Sequence, residues 1–495
     1  MFRWRGSLSL SLVLVLGSCL VQAINGQELT RGSFPKDFVF GTASSAYQYE
    51  GAVNEDGRGK AVWDTFAHSF GKVIDFSNAD VAVDQYHRYD EDIKLMKDMG
   101  LDAYRFSIAW PRIFPKRVYC NNFADGTGEV NQLGIDHYNK LINALLANGI
   151  EPYVTLYHWD LPQALADRNN GWVDRQIIQD FAIYAETCFK AFGDRVKHWI
   201  TFNEPHTFAI QGYDVGLQAP GRCSIFLRLF CKGGNSATEP YIVAHHTLLS
   251  HATVSDIYRK KYKDAQNGSI GIAFDVMWFE PMSNSTEDID ATQRAQDFQF
   301  GWFMDPLFFG DYPSSMRTRV GDRLPKFSTA EAALVKGSLD FVGVNHYTTY
   351  YAKQNQTNMI GILLNDTIAD SGAITLPFKN GKPIGDREPD ELHQTEVWKP
   401  SGMDDSNNPF TSIEDALKDD KRIKYHNDYL SNLSASIRED GCNVKGYFAW
   451  SLLDNWEWAA GYTSRFGLYF VDYRDNLKRY PKNSVGWFKK LLKSS

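Results

Sequence analysis

At 495 residues, 43% apolar and with a net charge of −8, the chain can bury a large core. It is too acidic to offer the basic face that nucleic acid or an anionic membrane surface would require, so neither is expected as a partner. Length alone would allow about three domains, although α/β barrels of this size run as one.

Met1 to Ala23 reads as a secretory signal, with Arg3 and Arg5 before a short apolar run from Leu8 to Leu16 and Val21-Gln22-Ala23 as a small-residue cleavage site. The run is too short to span a bilayer. The expectation is one domain over residues 24–495, soluble in the secretory pathway and bound for the exterior or the vacuole. In that compartment the sequons at Asn267, Asn284, Asn355, Asn365 and Asn432 become glycosylation sites. Cys19 leaves with the signal. Of Cys120, Cys188, Cys223, Cys231 and Cys442, the pair Cys223 and Cys231 lies close together in a loop-like segment and is the candidate disulfide. Cys188 falls on the apolar stripe of a helix and reads as a buried thiol. No Cys/His set has zinc spacing, and His245-His246 reads as structural, so neither metal nor cofactor is expected.

From Phe34 onward strands and helices alternate. Phe38-Val39-Phe40-Gly41 opens a strand predicted to run into Ser45–Gly51. A helix follows with Tyr86, Tyr89, Ile93 and Met96 on one face and Gly100 as its stop. Leu101–Trp110 is the second strand; Leu133 to Leu145 then marks a helix ended by Gly149. Glu151–Asp160 is the third, followed by a helix with Phe181, Tyr184, Cys188 and Phe192 in register. His198–Glu204 is the fourth, Ile270–Phe279 the fifth, Phe341–Tyr347 the sixth and Val444–Leu453 the last. Repeated βα units with near-continuous apolar strands predict a parallel sheet covered by helices, a (β/α)8 barrel.

The count of strands stops at seven. Between Tyr347 and Thr411 the chain is polar and broken, and Met359–Leu364 and Ala373–Phe378 have weak strand character. Order returns at Thr411, where Thr411-Ser-Ile-Glu414 fits a capping box and Tyr425, Tyr429, Leu433 and Ile437 run down one helix face. The expected fold is therefore a barrel whose seventh strand and preceding helix are lost or replaced.

Trp199–Pro205 is the most pointed stretch. A buried strand ends at Asn203-Glu204, because Pro205 cannot donate a ladder hydrogen bond. In a barrel, strand C-terminal ends carry the chemistry. A lone Glu there is ordinarily one half of a surface ion pair. Here apolar and amide neighbours favour its protonated form, which a general acid at neutral pH needs. The other strand ends supply Gln48, Arg105, His158, Asn345, Tyr347, Trp450, Glu457 and Trp458. Hydrogen-bonding groups of both kinds around Trp faces suit a sugar ring, with its hydroxyl edge and C–H faces.

The stretches FVFGTASSAYQYEG, YRFSIAW, TLYHWDLP, TFNEP, FVGVNHYT and GYFAWSLLDNWEWAAGYTSRFGL closely resemble the plant β-glucosidases of glycoside hydrolase family one, over nearly all of the chain from Phe34. The resemblance implies a retaining double displacement on a small-molecule β-glucoside or oligosaccharide. It implies Glu204 as acid/base, Gln48, His158, Asn203, Glu457 and Trp458 as holders of the glycone hydroxyls, Trp450 as stacking platform and Phe466 at the border. Arg105 and Tyr347 would face the nucleophile, with Asn345 in support, and Cys223–Cys231 matches the family's loop disulfide.

One segment departs. The family's nucleophile is a Glu in an Ile-Thr-Glu-Asn-Gly motif ending the seventh strand. Here Pro400 and Ser401 stand where its Glu and Asn belong, Gly402-Met403-Asp404-Asp405 looks like its continuation, and a polar stretch of about Asp386–Ser401 replaces strand and helix. No nucleophile is identified. Glu396 is the nearest carboxylate, yet no strand would hold it at the roughly 5–5.5 Å from Glu204 that retention requires. Three outcomes are open: an active β-glucosidase, a catalytically inactive glucoside-binding relative or splice variant, and a barrel whose exposed strand edges prevent stable folding.

Overall fold

The computed structural model describes residues 29–115, 128–224, 231–355, 366–384, 405–406 and 411–493. The signal segment, Cys120, the sequon at Asn365, the run Met359–Leu364, and the stretch 386–401 with Glu396, Pro400, Ser401 and the following Gly402–Asp404 lie outside them.

One curled sheet organises the chain. Its strands are β1 (Val39–Ala43), β2 (Ala103–Ser107), β3 (Glu151–Tyr157), β4 (His198–Asn203), β5 (Ser269–Pro281), β6 (Phe341–Gln354), β7 (Ala373–Leu376) and β8 (Gly446–Ala449). Their spatial order is β8-β1-β2-β3-β4-β5-β6-β7. Every neighbouring pair is parallel except β6 and β7, which are antiparallel. Outside the sheet run α1 (Gln85–Met99), α2 (Gln132–Ala147), α3 (Ile177–Phe192), α4 (Pro205–Tyr213), α5 (Glu239–Lys261), α6 (Asp420–Glu439) and α7 (Asn483–Lys493).

The expected faces of α1 and α3 are the buried ones, whereas on α6 the row Tyr425, Tyr429, Leu433 and Ile437 is half-buried and the buried row is Arg422, His426, Leu430 and Ser434, and Leu133 of α2 is exposed. Tyr86, Ile93 and Met96 of α1 are buried, and Gly100 ends the helix at φ +81, a conformation that carries little penalty without a Cβ. Phe181, Tyr184, Cys188 and Phe192 of α3 are buried together. Tyr184 stacks on Trp110 with ring centroids 4.9 Å apart, and its hydroxyl contacts the carbonyls of Ile108 (2.9 Å) and Leu156 (2.8 Å), so α3 is tied to the ends of β2 and β3. Each such side chain contributes roughly 1.5–3 kcal/mol by leaving water. His245 and His246 of α5 are held by the Tyr312 hydroxyl and the Trp172 carbonyl. Cys223 and Cys231 are joined, with Cα atoms 5.7 Å apart.

Several boundaries differ from the sequence reading. β1 stops at Ala43, and Ala46–Tyr49 is a short helix, because Ser45 leaves the strand and the Ser107 hydroxyl takes the Ala46 N–H. β2 ends at Ser107 and Trp110–Ile113 is helical, with Pro111 in its first turn. The helix after Thr411 is two helices, Ile413–Ala416 and α6, and the capping residue is Ser412, which accepts from the Asp415 N–H. Ala373–Leu376, expected to have weak strand character, is a strand: it pairs with the outer end of β6 from Tyr351 to Gln354.

β7 does not close the barrel. Among the described residues, no strand pairs with β6 along Phe341–Tyr350 on the side away from β5, nor with β8 on the side away from β1. The consequence is visible in burial: all of β2 is buried, whereas Val344 of β6 is 55% exposed.

Beyond β8 the chain is held by Asp454. Arg465 donates to it at 2.6 Å and Lys482 at 3.0 Å, and the backbone N–H groups of Gly467 and Val471 also point to it. Burial pushes its carboxyl up, but Lys482 and Arg465 outweigh this and hold it below the ordinary value. Replacing Asp454 with Asn removes the carboxylate that both buried cations share, an expected loss of about 3–5 kcal/mol. A group held below its unfolded value stabilises above the ordinary carboxylate range and loses that contribution as pH falls. Thermal melts of Asp454→Asn against the unaltered chain should thus differ widely at neutral pH and converge in acid. Equal melting temperatures at neutral pH would contradict this account.

Candidate active site

The C-terminal ends of the strands converge on one mouth, and Asn203, the last residue of β4, is its junction. Its side-chain oxygen accepts from Arg105 of β2 at 2.6 Å and from Asn345 of β6 at 3.1 Å. Its amide nitrogen donates to His158 Nε2 at 3.1 Å, and its carbonyl accepts from the Trp159 indole at 2.9 Å. Three different strand ends are therefore locked to a fourth through one amide.

Glu204 follows with φ +47, a left-handed turn that swings its side chain out of the strand and makes it the residue preceding α4. Pro205 occupies the first helical position, where its missing N–H costs nothing. The Glu204 carboxyl is only 8% exposed and accepts from Asn345 Nδ2 at 2.7 Å. Its pKa is raised to about 7. Burial is the main cause and the negative charge of Asp275 the next, while the Asn345 hydrogen bond and the Arg105 charge pull the other way. The amide neighbour read from sequence as favouring the protonated form thus works against it.

Asp275 was not singled out by the sequence reading. It lies on β5, buried, paired with His206 at 2.9 Å and receiving Gln299 Nε2 at 2.8 Å. The available signal was a lone carboxylate inside the apolar run Ile270–Phe279. Trp159 and Asn455, which brace Asn203 and Gln48, were missed as well.

Arg105 is 8% exposed. It donates from Nε to Thr155 at 3.1 Å and from Nη2 to Asn203, and among the described residues it has no ion pair. Burial pushes its pKa down to about 10, although Glu204 and Tyr347 act to raise it. Tyr347, half-buried on β6, has its hydroxyl pushed well up by burial, then by Glu204 and Glu457.

The opposite wall comes from the chain after β8. Gln48, on the short helix after β1, donates to Asn455 (2.8 Å), the Trp456 carbonyl (3.0 Å) and Glu457 (3.1 Å). His158 stacks against both Trp450 (6.0 Å) and Trp458 (5.9 Å), and Trp458 packs on Trp159 at 4.6 Å. Burial, then the Arg105 charge, keep His158 neutral by lowering its pKa well below the ordinary value. Phe466 is half-buried beyond them, its carbonyl accepting from the Ser451 N–H at 3.0 Å. These contacts join Arg105, His158, Asn203, Glu204, Asn345, Trp450 and Trp458 in one network and Gln48 with Glu457 beside it, while Phe466 is tied to them only through the Ser451 backbone. Of the sequons, Asn267, Asn284 and Asn432 are exposed and Asn355 is half-buried.

The arrangement offers a carboxyl poised to give or take a proton near neutral pH, acceptors and donors of both signs, and indole faces. The family model described as "Glycosyl hydrolase family 1" matches residues 30–377 and 401–495. β-Glucosidase 6 of Oryza sativa subsp. japonica is 70% identical over 499 residues, covering 97% of this chain and 94% of that protein. β-Glucosidase 40 of Arabidopsis thaliana is 68% identical, with 94% of each chain covered. A crystal structure of a rice β-glucosidase superposes with TM-score 0.89 at 70% identity, over 94% of this chain and 100% of that one. A β-glucosidase of the fungus Humicola insolens, solved with glucose, superposes with TM-score 0.85 at 42% identity, over 94% and 98%.

Because the folded Glu204 carboxyl titrates above its unfolded value, ionising it costs stability, and the cost appears as pH rises from about 4.5 toward 7. Glu204→Gln should melt with the unaltered chain below that window and above it at pH 8. A difference independent of pH would show that the carboxyl is not perturbed.

Proposed function

This chain belongs to glycosyl hydrolase family 1 and is a glycosidase of the β-glucosidase type, and from that premise we propose that its pocket takes the terminal β-D-glucosyl unit of a small glucoside or oligosaccharide, with Glu204 as proton donor. The observation that carries the reading is the Glu204 carboxyl, protonatable near pH 7 and hydrogen-bonded by Asn345 within the Asn203 junction. Gln48, Glu457, His158 and Asn203 are positioned to hold ring hydroxyls, and Trp450 and Trp458 to cover C–H faces. Phe466 borders the outer pocket. An N-terminal signal, passage through the secretory pathway and glycans at the exposed sequons complete the proposal.

A second reading is favoured by two coincident facts. The family match is interrupted between residues 377 and 401, and among the described residues Arg105 has no carboxylate partner. Retention by double displacement needs a second carboxylate roughly 5–5.5 Å from the first. On this reading the chain keeps the glucosyl site and the proton donor, and turnover is lost with the nucleophile.

Two measurements separate the readings. Glucose should raise the melting temperature of the full chain, because a ligand that binds only the folded form stabilises it. Glu457→Gln, which swaps a charged acceptor for a neutral one, should weaken that effect by roughly tenfold or more. Release of glucose from an aryl β-D-glucoside at rates of about 1 per second or faster selects the active enzyme. Stabilisation without such release selects the second reading, and no stabilisation at all sinks the proposal.

A further inference from the structure

Asp160 stands behind the sugar-facing wall rather than in it. It is 1% exposed, and neither of its carboxyl oxygens has a hydrogen-bond partner among the described residues. It lines a cavity of about 10 Å³, at the lower limit for a single water, with Tyr47, Glu50 and Arg58 around it. The cations nearby are already committed. Arg58 donates to Asp64 at 2.8 Å and to the Gly59 carbonyl at 3.1 Å, while Arg112 donates to Glu50 at 3.0 Å. Glu50 also accepts from the Tyr138 hydroxyl at 2.6 Å. Of the three carboxyls in this group, Asp160 is the one left without a donor among the described residues.

A carboxylate so placed would carry an unpaired charge out of water, and the state of lower energy is the neutral acid. Its pKa is raised to about 8: burial is the main cause, the Arg58 charge pulls down, and Glu50 and Asp64 push up. From the other sides Tyr157 of β3 and Tyr184 of α3 face it, both with hydroxyls pushed well up by burial. Two routes join this carboxyl to the pocket. Along the chain it follows Trp159, which holds φ +74, a left-handed conformation that a bulky residue keeps only when its surroundings impose it. The Trp159 indole donates to the Asn203 carbonyl at 2.9 Å, and its ring packs on Trp458. Across the cavity lies Tyr47, stacked on Trp458 with the planes 9° apart, and beside it in the same turn Gln48 reaches Glu457.

We propose that Asp160 is a positioning residue that holds the Trp159–Trp458 wall of the glucosyl pocket only as the neutral acid, so that its ionisation weakens sugar binding in alkali. The inference rests on the reading of the pocket as a glucosyl site. Once ionised, Asp160 must reach either solvent or Arg58, and the backbone that moves with it is that of Trp159. The indole then loses its place beside the Asn203 carbonyl and against Trp458. Stability carries the same signature. The folded chain keeps this proton after the unfolded chain has released its own near pH 4, so the contribution is full below that value and falls as pH rises toward 8. An Asn at this position carries no such loss.

The experiment compares the full unaltered chain with Asp160→Asn, a neutral isostere, in glucose affinity from pH 6 to pH 9, read by tryptophan fluorescence. Because Glu204 titrates in both, the ratio of the two affinities isolates Asp160. That ratio should be near one at pH 6 and reach roughly tenfold in favour of Asp160→Asn at pH 9, since only the protonated fraction of the unaltered chain binds. The variant should also melt with the unaltered chain near pH 4 and above it at pH 9. Arg58→Gln removes the charge that favours ionisation and should move the loss of affinity to higher pH. It decides the matter alone where Asp160→Asn does not fold. A ratio that stays flat to pH 9 would overturn the proposal and leave the glucosyl site standing. So would a binding constant roughly tenfold weaker in Asp160→Asn at pH 6, the mark of a working carboxylate hydrated in its cavity. If glucose neither changes the fluorescence of the unaltered chain at pH 6 nor raises its melting temperature, both the proposal and the reading beneath it fall.

Discussion

The Arg105–Asn203 hydrogen bond is the interaction on which the mouth depends. Among the described residues the buried Arg105 guanidinium meets no anion, and it gives its protons to Thr155 and to the Asn203 oxygen. That choice fixes the Asn203 amide, and the amide fixes the rest. Its nitrogen side is turned toward His158, which sets the accepting nitrogen of that ring, and its oxygen is shared with Asn345, which reaches on to Glu204. A charge-assisted bond of this kind contributes about 1.5–3 kcal/mol, more than the neutral bonds it organises.

Among the described residues, the seam beside β6 and the lack of a carboxylate at Arg105 fall at the same place in the fold. In a closed barrel the strand between β6 and β8 would bury the flank of β6 and bring one more side chain to the mouth. Among the described residues neither is found: Val344 is exposed on β6, and Arg105 has no carboxylate. The interruption in the family match falls in the same part of the chain. The described strands on either side of the seam, β6 and β8, are each paired along their other edge, and the sheet is backed by helices such as α3.

Much of this was legible in the chain itself, for a physical reason. Periodicity reports which face of an element turns inward, so the faces of α1 and α3 were read correctly, with Tyr89 of α1 half-buried. The motif around Glu204 announced a strand end because proline forbids further pairing. What periodicity does not report is where a short element turns. Gln48 was placed at the end of a strand and lies on a single helical turn, since nothing in its neighbours' hydropathy separates the two. The capping box was expected to open on Thr411, and the chain caps the helix with Ser412, one residue on. Asp275 was passed over because its effect on Glu204 depends on two strands meeting, which no single run of residues encodes. β7 is four residues long, below the length at which alternation is a signal, and exists because the outer end of β6 offers it an edge.

The perturbation of Glu204 bears on how separable the halves of the chemistry are. In a pair of carboxylates that share one mouth, each raises the other's pKa by like-charge repulsion, and removing one would return its partner toward the ordinary range. Here the principal cause is burial, and the next is Asp275, which is fixed by His206 and Gln299 outside any nucleophile position. The Glu204 carboxyl is thus protonatable near pH 7 for reasons that lie in β4, β5 and β6 themselves. The raised carboxyl is built from β4, β5 and β6, whereas a second carboxylate at the mouth would, in a closed barrel, come from the strand between β6 and β8. The perturbation of Glu204 therefore rests on burial and on its neighbours on β5 and β6.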